Sequence, residues 1–94
     1  MFIEIPYKTG DTVSLKLISG EEIVARLEDE NETHITLHKP LQIMMGPQGF
    51  GLAPFVMSNP EAKVKLRATS VNAIVKTSDM IAKQYVKQTT GLDI

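Results

Sequence analysis

The chain has 94 residues, a formal net charge of −1 from 10 Lys plus Arg against 11 Asp plus Glu, and no cysteine. Its length holds one hydrophobic core that buries only part of its apolar surface, and the lack of thiols excludes disulfide staples and thiolate metal sites, as expected of a reducing compartment. The near-neutral charge excludes a whole-molecule field of the kind that draws nucleic acid to a basic protein, so any such site must be local.

A single domain over residues 1–94 is expected, divided into an N-terminal arm (1–11), a strand region (12–76) and a C-terminal helix (78–90). The arm, Met1-Phe2-Ile3-Glu4-Ile5-Pro6-Tyr7, has no basic n-region, and the apolar runs elsewhere are far short of a membrane span. The expectation is a soluble cytoplasmic protein with no membrane partner.

From Thr12 to Ile18 the residues alternate, with Val13, Leu15 and Leu17 on one face, before Ser19-Gly20-Glu21 supplies a turn. Glu22 to Leu27 alternates again, with Ile23, Ala25 and Leu27 inward, and ends in an acidic knot, Glu28-Asp29-Glu30-Asn31-Glu32. Thr33 to Lys39 carries Ile35 and Leu37 inward and His34, Thr36 and His38 outward; beyond Pro40, Leu41 to Met45 extends the same strand with a bend. Gly46 to Gly51 is loop by composition. A fourth strand fits either Leu52 to Met57, where Pro54 demands an edge, or Val64 to Arg67. Ala68-Thr69-Ser70 is a short turn and Val71 to Val75 a last strand. The period then changes: Thr77 or Ser78 can cap a helix with Asp79 in its first turn, a stripe of Ile81, Ala82, Tyr85 and Val86, and an exit at Gly91. Short strands with turn signals between them make a small barrel the default architecture.

Two stretches carry a family resemblance. Val13 to Leu37 gives strand, turn, strand, acidic Asn-bearing loop and strand, and Leu66-Arg67-Ala68-Thr69-Ser70-Val71-Asn72-Ala73-Ile74 gives an apolar residue, Arg, a small residue, two polar residues and alternating apolar ones. Together they resemble the two motifs of the Sm/LSm family, the Hfq-related ring-forming RNA-binding proteins. Ala68 stands where the family has glycine, the first loop is shorter by about one residue, and the helix lies at the C-terminus with no room for one ahead of Thr12. These departures suggest a divergent branch of the small phage-encoded kind, which would act in the host cytoplasm.

The resemblance implies a small, strongly bent, five-stranded open barrel of the Sm-like (SH3-like) kind with a C-terminal helix. It implies a homo-oligomeric ring of about five to seven subunits by analogy of fold. Single-stranded RNA, or DNA, would be bound at the central opening for processing or chaperoning. The base-contacting positions fall near Asn31 and His34, and Arg67, Thr69 and Ser70 supply the second loop. His34 can stack on a base, Asn31 can meet a base edge, and Arg67 can bring phosphate charge or a second stacking plane. In such rings the fourth strand of one subunit pairs with the fifth of its neighbour. Leu52, Phe55, Met57, Val64 and Leu66 would therefore meet Val71, Ala73 and Val75, which also removes exposed edges.

Other constellations carry less chemistry. His34 and His38 along one strand lie roughly 13 Å apart, too far to share an ion. The acidic knot begins like a calcium loop, but His34 occupies the required glycine and Pro40 the closing glutamate. No helix start follows Gly46, Gly49 and Gly51, so a phosphate loop is not indicated. No nucleophile, base and orienting acid can be assembled, so neither an enzyme nor a cofactor is expected. Met44, Met45, Phe50, Leu52, Phe55 and Met57 read first as ordinary core. Their second reading is a contact patch, which supports the alternative of a structural or adaptor ring that binds proteins and no nucleic acid.

Overall fold

Period-two patterning lays down most of the sheet. In the computed structural model, which describes residues 6–91, β1 (Thr12–Leu17), β2 (Glu22–Glu30), β3 (His34–Gly46), β4 (Gly49–Pro54), β5 (Lys63–Arg67) and β6 (Val71–Lys76) precede α1 (Asp79–Thr90). A 3-10 turn, Ala68–Ser70, joins β5 to β6. All pairings are antiparallel, in the order β4-β3-β2-β1-β6, with β5 also paired to β3. Residues 1–5 of the expected arm lie outside the described part. The rest of it docks: the Gly10 N–H donates to the Leu27 carbonyl at 2.8 Å and the Leu27 N–H to that of Asp11 at 2.9 Å, prolonging the β1–β2 ladder.

The sheet has six strands, where five were expected, and β3 explains the difference. Its first half, His34 to His38, pairs with β5, and its second half, Leu41 to Gly46, pairs with β4. Both candidate positions for the fourth strand are thus used, one on each half of β3, with residues 55–62 looping between them. The bend falls at Lys39, whose φ of 51° is the one positive value outside glycine among the described residues. Val24 opposes Leu41 and Arg26 opposes His38, so Lys39 and Pro40 together face the single residue Ala25. This is a β-bulge, and it turns the strand.

Boundaries moved where pairing outweighed local preference. β2 continues through the acidic residues Glu28, Asp29 and Glu30, because Asp29 and Glu30 find partners in Thr36 and Ile35. The Gly46–Gly51 segment is largely ladder, with Gly46 opposite Gly49 and only Pro47-Gln48 as the turn. Ile18 lies beyond β1 and is exposed.

Two apolar clusters cover the two faces of the sheet. Val13, Leu15, Leu17, Ile23, Ala25, Leu27, Ile35 and Leu37 fill the concave side, with Phe55, Leu66, Val71 and Ile74 packed around them. Val24 and Leu41 on the other side are covered by Tyr85, with Ile81, Val86, Ile43 and Leu52 at the margin. The helical stripe expected from the sequence is therefore the face that packs.

Side chains fix the helix in place. Gln88 Nε2 donates to the Leu52 carbonyl at 2.7 Å and Lys39 Nζ to the Thr89 carbonyl at 3.0 Å, the latter placing a cation at the negative end of the helix. Ser78 is the N-cap residue but its side chain makes no capping bond, and the Thr77 hydroxyl is spent on Ser14 Oγ at 2.8 Å. Gly91 ends the helix at φ 75°, its N–H donating to the Lys87 carbonyl at 2.9 Å. A side chain there meets no neighbour, so Gly91→Ala should cost only the left-handed backbone term, about 1 kcal/mol, read as a lower midpoint in urea unfolding.

Candidate nucleic-acid interface

The five residues expected to contact nucleic acid lie in or next to two connections, 31–33 after β2 and 68–70 after β5, with His34 opening β3 and Arg67 ending β5. Asn31 organises the first. Its Oδ1 accepts the Thr33 N–H (2.9 Å), the Thr33 hydroxyl (3.0 Å) and the His34 N–H (2.9 Å), while its own N–H donates to the His34 carbonyl at 2.9 Å. This is an Asx turn, for which asparagine is suited because its short amide mimics a backbone carbonyl. Thr33 Oγ1 lies 2.9 Å from His34 Nδ1, which sets the ring's orientation. Asn31→Ala should loosen this turn and destabilise the protein by about 1 kcal/mol, checked by urea unfolding.

The second connection abuts the first. The Ala68 N–H donates to the Thr33 carbonyl at 2.8 Å, and His34 stands opposite Arg67 in the β3–β5 ladder. Ser70 Oγ donates to the Arg67 carbonyl at 2.7 Å, and the Ser70 carbonyl accepts the Ile18 N–H at 2.9 Å. Arg67 and Thr69 are exposed, and His34 and Ser70 are partly so. The structure thus gathers Asn31, His34, Arg67, Thr69 and Ser70 at one end of β3 and β5. It also changes what Asn31 offers, since the carbonyl oxygen is occupied within the turn and a base edge would meet the amide nitrogen.

The same ladder reveals a feature the sequence reading left unassembled. Directly opposed residues of antiparallel strands share a face, so Arg67, Lys65 and Lys63 stand beside His34, Thr36 and His38 respectively. All three cations are exposed. The outer face of β5 is therefore a basic row flanked by two imidazoles. Carboxylates lie on the far side of β3: Glu28 Oε1 is 3.4 Å from His38 Nδ1, and Asp29 opposes Thr36. The alternation of Lys63, Lys65 and Arg67 was visible in the sequence, but their histidine neighbours depend on register.

The residues expected at a subunit interface divide. Phe55, Leu66 and Val71 pack on the core of their own chain, and Leu52 packs beneath α1. Met57, Ala73 and Val75 are exposed, and Val64 is half-buried. Among the described residues, β6 pairs only with β1 and β5 only with β3, so each leaves one edge open. The Met and Phe cluster corrects its first reading: Met44, Met45, Phe50 and Met57 are exposed, Met45 at 79 %, and only Leu52 and Phe55 contribute to core. The β3–β4 hairpin carries Met44, Met45 and Phe50 past the end of α1's cover, which sequence periodicity does not show.

Among the described residues no group of three or more His, Asp or Glu side chains could hold a metal, and no helix is long and apolar enough to cross a membrane. A scan against models of protein families finds no match, and a search of curated proteins finds no relative.

Proposed function

We propose that the protein forms a homo-oligomeric ring that binds single-stranded RNA, or single-stranded DNA, at the loops after β2 and β5. The observation that carries this reading is the junction of those loops, where the Ala68–Thr33 hydrogen bond and the His34–Arg67 pair set an imidazole, a guanidinium and an amide side by side. Stacking on planar side chains together with a local cation is the chemistry single strands require, and a base stacked on a side chain contributes roughly 1 to 3 kcal/mol. One such site is weak on a chain of net charge −1, and repetition around a ring raises avidity without new contacts. The open edges of β5 and β6 support ring closure, since pairing one to the other in a neighbouring copy satisfies both.

Native mass spectrometry with and without a short uridine-rich RNA tests this. The expected result is a closed oligomer carrying one RNA, with binding lost in the double variant His34→Ala, Arg67→Ala. A monomer at micromolar concentration refutes the ring, and binding that survives the double variant refutes the site.

The exposure of Met44, Met45, Phe50 and Met57 favours a second reading, an adaptor ring that contacts proteins through these flexible apolar side chains. A closed ring that ignores RNA and DNA at low salt selects it.

A further inference from the structure

We infer that the outer face of β5 is a phosphate-tracking rail, which leads an extended single strand away from the loop site along Arg67, Lys65 and Lys63. This rests on the nucleic-acid reading above and gives that site a direction and a length.

Spacing and charge both point to the ligand class. Alternate residues of a strand repeat at roughly 6.6 to 6.8 Å, close to the separation of successive phosphates on an extended chain, so three cations in a row can each meet one phosphate. All three are exposed, and among the described residues no carboxylate pairs with Lys63 or Lys65, since Glu28 lies against His38 and Glu61 pairs with Lys39. On β3, His34 and His38 lie across the ladder from Arg67 and Lys63, so bases turned inward from the phosphates have a ring at each end of the row. Glu28 and Asp29 border this face on the β2 side, which repels phosphate there and confines the backbone to β5. An acidic peptide would satisfy the cations equally, but the face formed by His34, Thr36 and His38 with Arg67, Lys65 and Lys63 includes no apolar side chain to anchor one. The single strand is thus the better fit.

The test is fluorescence anisotropy of labelled oligouridylate across a salt series, using the full chain and the double variant Lys63→Ala, Lys65→Ala. A control removes the same charge elsewhere, with Lys8→Ala and Lys83→Ala. Because each phosphate contact on a single strand contributes about 0.7 to the slope of log K against log salt, the rail variant should lower that slope by about 1.4 for each subunit engaged, and the control should leave it unchanged. An unchanged slope in the rail variant, alongside lost binding in His34→Ala, Arg67→Ala, overturns the rail and leaves the loop site standing. No binding of RNA or DNA by the wild-type chain overturns both. Displacement of the oligonucleotide by polyglutamate of matched charge, at equal concentration, reassigns the row to acidic peptides and overturns the inference.

Discussion

Truncating Leu37 to alanine is expected to destabilise the protein by about 2 to 5 kcal/mol, the usual range for a fully enclosed leucine. Leu37 is 0 % exposed and sits mid-strand in β3, between Leu27 of β2 and Val64 of β5. Its side chain belongs to the concave cluster with Val13, Leu15 and Ile23, all of them fully buried. Three strands enclose it, so little collapse into the vacated volume is available, and the cavity term adds to the lost transfer energy. A domain of this size holds about 5 to 15 kcal/mol in total, so the variant should melt on the order of 10 °C lower or more. Calorimetry with urea unfolding checks this. A loss below about 1 kcal/mol would mean that β5 does not close over β3 as described.

Tyr85→Phe removes one oxygen and is expected to cost about 1 to 3 kcal/mol, because three backbone groups lose their partner. The Tyr85 hydroxyl accepts the Arg26 N–H at 3.1 Å and shares its single proton between the carbonyls of His38 at 2.8 Å and Lys39 at 2.9 Å. These groups lie at or beside the bulge at Lys39 and Pro40. The phenol therefore ties β2 to β3 at the bend while its ring covers Val24 and Leu41. Phenylalanine keeps the ring packing, so the comparison isolates the polar term. An effect within a few tenths of a kcal/mol would show that water reaches the bulge and serves as well.

The same hydroxyl predicts alkaline behaviour. Burial, opposed by the Arg26 N–H bond and charge and assisted by Glu28, pushes the Tyr85 phenol up to about 12 from 10.0. A folded-state value above the unfolded one contributes stability that is complete below pH 10 and lost as pH rises through about 12. That gap corresponds to roughly 3 kcal/mol. The chain has two tyrosines, and Tyr7 is also raised, by burial and then by its 3.0 Å bond to Glu30. Ultraviolet titration of the phenolate alongside unfolding above pH 10 should show the late-titrating group vanish in Tyr85→Phe, with a flatter alkaline limb.

Much of this architecture was legible in the residues. Val13, Leu15, Leu17, Ile23, Ala25, Leu27, Ile35 and Leu37 were assigned inward by alternation and are the concave core, because a half-buried strand must place apolar groups at every second position. The change of period at Thr77, the stripe Ile81-Tyr85-Val86 and the exit at Gly91 marked the helix for the same kind of reason. Val24 escaped, since burial on both faces of β2 occurs only once α1 covers the outer one. Of the site, residue types were legible but not company. Asn31 read as a base contact and is first the organiser of its turn, and the placing of Lys63 and Lys65 beside His38 and Thr36 follows only from the β3–β5 register.

The sequence by itself determined the elements and which face of each strand is apolar, because side-chain period is a local property of the backbone. Only the tertiary structure decided the split of the fourth strand between β4 and β5. The bulge at Lys39 and Pro40 and the capture of its backbone groups by Tyr85 arose the same way, as did the β3–β5 register that sets His34 beside Arg67 and His38 beside Lys63. The β3–β5 register and the capture by Tyr85 depend on partners 25 to 59 positions distant along the chain, from the pairs His38–Lys63 and Arg26–Tyr85, and no local preference encodes them.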